Sequence, residues 1–255
     1  MKIFYYTASG NSLAVAKRFP HAQLISIPQV LKGEETLFSD ESIGLIMPCY
    51  MANVPPPVEE FIHRIQLRAD YLFAVLTYGS ISMGALDRLT AMARKQGITF
   101  SYANQICMVD SSIKHFDMDQ EEANQHTKEI YRHLDIIVAE IQARTPRPPA
   151  RSLVKGQLSR LGRHLYRKEI GDVDRKFSVE AQCNGCGTCA RVCPRENIRV
   201  DGTPRFHHHC IRCYACTHNC PQNAIRLQGE KSRARFRNPA VSLAEIIRAN
   251  HCPAP

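Results

Sequence analysis

The chain has 255 residues, enough for one large domain and one small domain. Its composition is 44% apolar, and no apolar run approaches the length of a membrane-spanning helix, so the sequence predicts a globular protein without a membrane span. The net charge of +9 is uneven: residues 1–150 hold 14 Lys or Arg and 16 Asp or Glu, whereas residues 151–255 hold 19 and 8. The second part is therefore strongly basic, which bears on its partner or on the contact between the domains.

Apolar segments that predict strands alternate with amphipathic segments that predict helices over residues 1–145. The five predicted strands are KIFYYT, AQLISI, SIGLIMP, YLFAVLTYG and TFSYANQICMVD. The last predicted helix runs from about Asp119 to Arg144, because its apolar positions recur with a 3.6-residue period: Ala123, Thr127, Ile130, Leu134, Ile137 and Ile141. This alternation predicts an α/β domain with a doubly wound, five-stranded parallel sheet in the order 2-1-3-4-5.

The loops after strands 1, 3 and 4 form the predicted ligand site of such a sheet, beyond the carboxyl ends of the strands. The first loop, TASGNS, offers hydroxyl groups and backbone N–H groups that suit a phosphate, and it lacks the G-K-S/T ending of a P-loop. Helix capping by Ser or Asn is the simpler explanation of the same residues. In the second and third loops, Tyr50 and Tyr78 could cover a flat ring or could pack against neighbouring helices.

A proline-rich segment at residues 145–150, TPRPPA, predicts a stiff connection to the second domain. Residues 151–170 predict a basic amphipathic helix, and packing on the same protein is favoured over a membrane surface. Near the end, KSRARFRNP predicts a solvated basic segment, and Ser242 with Glu245 predicts the capping box of a last short helix. The predicted domains are 1–145, the linker and helix 146–175, the cysteine-rich domain 176–230, and the tail 231–255.

Two cysteine runs, CNGCGTCARVCP and CIRCYACTHNCP, repeat the spacing C-x2-C-x2-C-x3-C-P with an offset of 27 positions. In two-cluster ferredoxins the first three cysteines of such a run hold one 4Fe-4S cluster, and the fourth holds the other. Zinc ribbons need fewer cysteines per run, and disulfides need an oxidising compartment. The predicted ligands are Cys183, Cys186, Cys189 and Cys220 for the first cluster, and Cys210, Cys213, Cys216 and Cys193 for the second.

The segment between the cysteine runs predicts a small hairpin, because Ile198 and Val200 alternate before the turn Asp201-Gly202. His207, His208 and His209 are adjacent on an extended chain and point in alternate directions, so they are not expected to converge on one metal ion. One of them could hydrogen-bond a cluster sulfur. The three remaining cysteines give no disulfide framework, and the first residues are needed for a core strand rather than a signal peptide, which predicts a cytoplasmic location.

The segments KIFYYTASGNSLAVAK, IGLIMPCYMANVPPPVEEFI and FAVLTYGSISMGALDRL resemble the three FMN loops of flavodoxins. With the two cysteine runs and the final RFRNPAVSLAEII, nearly the whole chain resembles the bacterial flavodoxin–ferredoxin fusion family. The resemblance implies a flavodoxin-like fold, a two-cluster ferredoxin domain, and FMN as a cofactor. The implied FMN contacts are Thr7, Ser9, Gly10, Asn11, Ser12, Pro48, Tyr50, Met51, Thr77, Tyr78 and Gly79.

Three functions are compatible with these features. The first is electron transfer, in which two 4Fe-4S clusters and an FMN relay single electrons between redox proteins, and the basic second part favours an acidic partner. The second is a dedicated flavin-dependent reductase of a small molecule, for which Tyr50, Tyr78 and His115 are candidate proton donors. The third is a flavin-free iron–sulfur protein that binds nucleic acid or senses oxidation. Nucleic acid is not expected, because the basic residues are not interleaved with stacking aromatic side chains.

Overall fold

The computed structural model describes residues 1–149, 164, 166, 170 and 173–251. The predicted basic helix at residues 151–170 therefore lies almost wholly outside the described residues, and so does Cys252. In the described part of the chain, no helix combines the length and the apolar character needed to cross a lipid bilayer.

The first domain contains a five-stranded parallel sheet between two layers of helices. The strands of the domain, five of which form this sheet, are β1 (Lys2–Tyr5), β2 (Gln23–Ser26), β3 (Leu37–Ser39), β4 (Ser42–Pro48), β5 (Gln66–Arg68), β6 (Tyr71–Tyr78) and β7 (Tyr102–Cys107). The sheet has the order β2-β1-β4-β6-β7, and all its neighbours are parallel. The central strands β4 and β6 are buried at nearly every position, as their continuous apolar runs require. The predicted α/β domain with five parallel strands is confirmed.

The sequence analysis missed β3 and β5, which pair with each other in parallel outside the main sheet. Each strand has three residues, and only Phe38 among the six is buried. Segments this short show no periodicity that could distinguish them from a loop.

The helices of this domain are α1 (Asn11–Ala16), α2 (Ile27–Lys32), α3 (Pro56–Arg64), α4 (Ala85–Lys95), α5 (Met118–Ala123) and α6 (Ile130–Gln142). Residues of α1 and α6 share one apolar cluster with Val75, and residues of α3 and α4 share another with Leu76, so the two pairs cover opposite faces of β6. Gly44 in β4 leaves room for a ring, since a Cβ there would lie 2.2 Å from an atom of Phe73.

The prediction of one continuous helix from about residue 119 to residue 144 is wrong. The segment consists of α5, a 3-10 turn at Gln125–Lys128, and α6, with Glu129 in a left-handed conformation (φ 45°) between the last two. Lys128 explains the break, because its ammonium group turns inward to the Glu121 carboxylate at 2.7 Å and to the carbonyls of Gly79 and Met108. The supposed core positions Ala123 and Thr127 are accordingly exposed.

The cysteine-rich domain contains two antiparallel strand pairs and two short helices. The strands are β8 (Phe177–Val179), β9 (Ile198–Asp201), β10 (Thr203–Phe206) and β11 (Ile225–Leu227), and the helices are Thr188–Arg191 and Ala215–His218. The predicted hairpin is confirmed as β9 and β10, and Gly202 supplies the left-handed residue of the turn (φ 68°). Strand β8 pairs with β11, so the two ends of the domain meet.

The tail returns to the first domain, and its predicted solvated basic segment is confirmed at Lys231, Arg233 and Arg237, which are exposed, but not at its middle. Phe236 is buried, and the Arg235 guanidinium is 8% exposed because it lies against the Glu230 carboxylate at 2.9 Å. The final helix, Leu243–Asn250, which we call the C-terminal helix, has the predicted capping box between Ser242 and Glu245. Its buried side chain Ile246 packs in the same apolar cluster as α1, so the end of the chain completes the core of the first domain.

We expect Ile246→Ala to lower the free energy of unfolding of the whole protein by about 2–5 kcal/mol, because this side chain is fully buried in the core that the C-terminal helix shares with α1. Chemical denaturation followed by circular dichroism measures the loss. Ile136→Ala on α6 is the matched control, since Ile136 is 48% exposed and should cost little. Equal losses for the two variants would contradict the packing of the tail.

Candidate functional site

Four predicted cluster ligands surround one small cavity at the outer end of the cysteine-rich domain. The cavity is lined by Cys183, Cys186 and Cys189 from the first run and by Cys220 from the second. Burial, with smaller contributions from the other three cysteines, raises the pKa of Cys189 to about 11. Cys186 is exposed, and the Thr188 hydroxyl, 3.3 Å from its Sγ, lowers its pKa.

The other four cysteines form a second, more deeply buried group. Burial raises the pKa of Cys216 well above its ordinary value, with smaller contributions from Cys210, Cys213 and Cys193 and from Cys189 of the first group. Burial likewise raises the pKa of Cys213, and the nearby Cys193 and Cys210 also contribute to this increase. In each group three cysteines of one run lie with the fourth cysteine of the other run, and the crossed ligation of two clusters stays a prediction. Thiolates gathered in low-dielectric surroundings need cationic iron to offset their charge.

Backbone N–H groups, rather than the three histidines, contact the cysteine sulfurs. The N–H groups of Asn197 and Ala224 lie 3.4 Å from the sulfurs of Cys193 and Cys220, four residues earlier in each run. Such contacts are one of the ways in which a protein sets a cluster potential.

Of the three histidines, His208 binds elsewhere in the domain. Its Nδ1 lies 2.7 Å from the buried carboxylate of Asp174, and its backbone N–H donates to the same group. The backbone N–H of His209 donates to the Asn197 side chain at 2.6 Å. These contacts give the histidine segment a structural role.

A large cavity of about 500 Å³ lies where the carboxyl ends of β1, β4, β6 and β7 meet the cysteine-rich domain. All but one of the FMN contacts implied by the resemblance line it: Thr7, Ser9, Asn11, Ser12, Pro48, Tyr50, Met51, Thr77, Tyr78 and Gly79. The opposite wall is formed by Tyr166, Arg212, Cys213 and Tyr214. The structure thus brings three loops of the sheet to one cavity and places a cysteine of the second group on its wall.

Gly10 is the implied FMN contact that does not line the cavity. Its Cα faces the tail, where a Cβ would lie 3.1 Å from the Cβ of Asn238, and its left-handed φ of 101° suits glycine. Its N–H donates to the Thr7 hydroxyl at 3.2 Å. Gly10 therefore lets the loop turn beneath the tail.

The remaining hydroxyl and amide groups of the first loop hold neighbouring loops in place. Ser12 Oγ lies 2.9 Å from Thr77 Oγ1, and Ser9 Oγ donates to Ser111 Oγ at 3.1 Å. Asn11 Nδ2 donates to the carbonyl of Val109. The hydroxyl groups are thus oriented by one another at the end of the cavity nearest α1.

Three asparagines from the cysteine-rich domain and the tail fasten the first loop from outside. Asn219, next to Cys220, donates from Nδ2 to the carbonyls of Ala8 and Ala215 at 3.1 and 3.0 Å. Asn250 Nδ2 donates to the carbonyl of Thr7 at 3.2 Å, and the backbone N–H of Asn238 donates to that of Ser9 at 2.8 Å. The conformation of the first loop therefore depends on residues more than 200 positions away.

The loop after β7 is a part of the cavity that sequence reasoning missed, apart from His115. Asp110, Ser111, Ser112 and His115 line the cavity, with Ser112 Oγ 2.8 Å from His115 Nδ1. Burial raises the pKa of Asp110 and lowers that of His115. The available signal was the polar run DSS directly after a predicted strand.

His218 connects the same loop to the second cysteine run. Its Nδ1 accepts from the N–H of Phe236 at 3.1 Å, which leaves Nε2–H to donate to the Ser111 carbonyl at 2.7 Å. Burial lowers the pKa of His218 to about 4, so the ring is neutral at neutral pH.

Two residues of the cavity wall stand at positions of the second cysteine run where the first run has glycine. Gly185 and Gly187 have φ of 69° and 73°; 27 residues later, Arg212 and Tyr214 have φ of 55° and 56°. Left-handed backbone in a bulky residue costs about 1–3 kcal/mol and is concentrated at functional sites. Aligning CNGCGTC with CIRCYAC would have revealed both replacements.

The crossed grouping predicts different outcomes for two pairs of cysteine substitutions. Cys183→Ala with Cys220→Ala removes two ligands of the first cluster only, so the variant should keep about four irons per chain in the second. Cys183→Ala with Cys193→Ala removes one ligand from each cluster, so both should be lost or damaged. Iron and sulfide analysis with electron paramagnetic resonance of the reduced proteins measures this. The reverse result would mean that each run holds its own cluster.

Comparison with known proteins identifies one part of the chain. Residues 182–225 match the family described as the 4Fe-4S dicluster domain, and this range contains all eight cysteines of the two groups. No curated protein matches the chain. The cysteine-rich domain of this protein is therefore a 4Fe-4S dicluster domain, a type of iron–sulfur electron-transfer domain.

Proposed function

We propose that the chain is an iron–sulfur flavoprotein that relays single electrons between two 4Fe-4S clusters and an FMN in the large cavity. The observation that carries this proposal is the position of Cys213, which belongs to the second cysteine group and also lines the cavity. A cluster held by Cys213 would adjoin any molecule bound there. Electron transfer between the two would need no movement of the domains.

The sheet and the chemistry of the cavity support FMN as the occupant. Without β3 and β5, the order β2-β1-β4-β6-β7 reads 2-1-3-4-5, which is the flavodoxin-like order with its ligand site between the first and third strands. The cavity is within the size range of small-molecule sites. It has hydroxyl groups at one end, from Ser9, Ser12 and Thr77, and aromatic side chains elsewhere, from Tyr50 and Tyr78.

The residues present therefore fit FMN. The first loop would hold the phosphate with Thr7, Ser9, Asn11 and Ser12, and the loops after β4 and β6 would hold the ring. FMN supplies the ability to store one or two electrons. The chain's own contribution is to shield one side of the cavity from water, because Tyr166 and Tyr214 form the wall opposite the sheet and both are buried.

Anaerobic purification with iron, sulfide and flavin analysis tests the proposal, and we expect about eight irons and one FMN per chain. Ser9→Ala should weaken FMN binding about tenfold, because it removes a hydroxyl that can donate to the phosphate. Riboflavin, which has no phosphate, should bind the variant and the original protein equally.

Ser80→Ala is the matched control for this experiment. Ser80 lines the same cavity from the loop after β6 and should not change the preference for FMN over riboflavin. Eight irons without flavin, even after FMN is added, would contradict the relay.

We propose that electrons from a partner enter the protein at the first cysteine group. In the hairpin, Val200 and Pro204 pair across the strands and line the small cavity of the first cysteine group. The neighbouring pair, Arg199 and Arg205, therefore points outward. Both arginines are exposed, and neither has an ion-pair partner among the described residues. Like charges directly opposite each other destabilise a hairpin, so this pair favours a role in binding an acidic surface. The partner we propose is an acidic redox protein.

We expect the double variant Arg199→Glu with Arg205→Glu to lower the second-order rate of cluster reduction by an acidic two-cluster ferredoxin about tenfold at low salt. The rate should also lose its dependence on ionic strength, because the steering charge has been removed. Stopped-flow absorbance measures both. An uncharged small-molecule reductant should reduce both proteins at one rate.

Arg94→Glu with Lys95→Glu, at the exposed end of α4, makes the same change in net charge and is the control. An equal loss of rate in the control would show that only the net charge matters and would contradict docking at the hairpin.

A further inference from the structure

The second cysteine group is surrounded by tyrosines on the side that faces the cavity. Tyr50, Tyr166 and Cys213 line the cavity together, and Tyr6 packs in the same apolar cluster as Tyr50 and Cys213. The rings of Tyr6 and Tyr50 meet edge to face with centroids 6.1 Å apart. This arrangement gathers phenol groups with Cys213 where the cavity meets the apolar core of the first domain.

Two of these phenol groups have buried hydroxyls without a partner. Tyr6 Oη and Tyr50 Oη are inaccessible to solvent and lie near each other, but neither makes a hydrogen bond of good geometry among the described residues, whereas Tyr166 Oη donates to the carbonyl of Ile211 at 2.9 Å. A buried hydroxyl without a partner costs about 1–3 kcal/mol, so such groups are normally satisfied. The Tyr50 ring lines a cavity open to water while its hydroxyl is inaccessible, so the hydroxyl is directed into the protein rather than into the cavity.

Both hydroxyls remain protonated, so they can donate. A tyrosine hydroxyl has a pKa of about 10 in water, and burial disfavours its charged form, so each hydroxyl carries its proton at neutral pH. A protonated phenol beside a thiolate-bound cluster has sulfur atoms as acceptors.

The two cysteine groups differ in a way that opposes the proposed direction of electron flow. A 4Fe-4S cluster with four thiolates gains a third negative charge on reduction, and burial disfavours the more highly charged form. The second group is the more buried, since Cys186 of the first group is exposed whereas every cysteine of the second group is buried or partly buried. Burial alone would thus give the second cluster the lower potential and hold electrons on the first.

We propose that the hydroxyls of Tyr6 and Tyr50 donate hydrogen bonds to sulfur atoms of the second cluster and raise its reduction potential, so that electrons from the first cluster move on toward the cavity. This proposal rests on the cluster part of the proposed function. In each step one electron leaves the first cluster, which is oxidised, and enters the second, which is reduced; no bond forms or breaks and no proton moves. Tyr6 and Tyr50 therefore take no part in the electron transfer itself and act only by raising the potential of the second cluster.

Tyr50→Phe and Tyr6→Phe test the proposal, since each removes one hydroxyl and keeps the ring. We expect each to shift the equilibrium between the clusters about tenfold toward the first, which for a one-electron couple is about 59 mV. Redox titration followed by electron paramagnetic resonance measures the two midpoint potentials. The variant with Cys183→Ala and Cys220→Ala, which should keep only the second cluster, assigns the signals.

Tyr166→Phe is the control close to the cluster, because the Tyr166 hydroxyl already donates a hydrogen bond to the carbonyl of Ile211. Tyr131→Phe is the control at an exposed position. A lower potential of the second cluster alone, in the Tyr6 and Tyr50 variants but not in the controls, supports the proposal. Unchanged potentials, equal shifts of both clusters, or an equal shift in Tyr166→Phe would overturn it.

Iron analysis separates this outcome from a failure of the proposed function. About eight irons with unchanged potentials would remove only the tyrosine proposal. If the unsubstituted protein bound no iron after anaerobic reconstitution, the proposed function would be contradicted as well.

Discussion

The side-chain amide of Asn219 holds the two halves of this protein in one arrangement. It lies beside a cysteine of the first group, donates to the loop after β1, and also donates to the start of the helix that carries Cys216. The contact is 2% exposed, so water does not compete with it. His218, one residue earlier, joins the same segment to the loop after β7. These two side chains thus join the second cysteine run to two of the loops that line the large cavity.

The end of the chain strengthens this arrangement by closing the first domain from outside. Lys17 on α1 contacts Glu245 at 2.8 Å and the carbonyl of Ala240 at 2.7 Å, and Asn250 reaches the carbonyl of Thr7. These contacts surround the buried Ile246. A domain that would otherwise end with α6 is thus completed by residues that follow the cysteine runs. The two domains should therefore unfold together rather than independently.

Several departures from the local rules of sequence and structure lie at the cavity, and functional sites are one place where such departures occur. Arg212 and Tyr214 have left-handed backbone conformations at positions where the first run has glycine. Tyr6 and Tyr50 bury hydroxyls without partners. Each feature costs stability, and nothing in the packing of the sheet requires it. They surround the second cysteine group, whereas the first has glycines and a solvent-exposed cysteine. The asymmetry between two nearly identical motifs is the basis for assigning them different roles.

The sequence by itself determined the features that depend on local spacing. The interval between cysteines limits which thiolates can share a cluster, the apolar runs of β4 and β6 can only be buried strands, and Asp201-Gly202 favours one kind of turn. Loops at the ends of parallel strands must meet at one edge, so most implied FMN contacts could be placed at one cavity.

Only the tertiary structure decided the features that depend on contacts between distant residues. Periodicity predicted a single helix where Lys128 turns inward and breaks it. Composition predicted a solvated basic segment, yet Phe236 within it is buried. Gly10 faces the tail and not the cavity, because Asn238 lies against it. In each case a long-range contact stabilises a conformation that the local pattern disfavours, and such a contact leaves no periodic signal in the sequence.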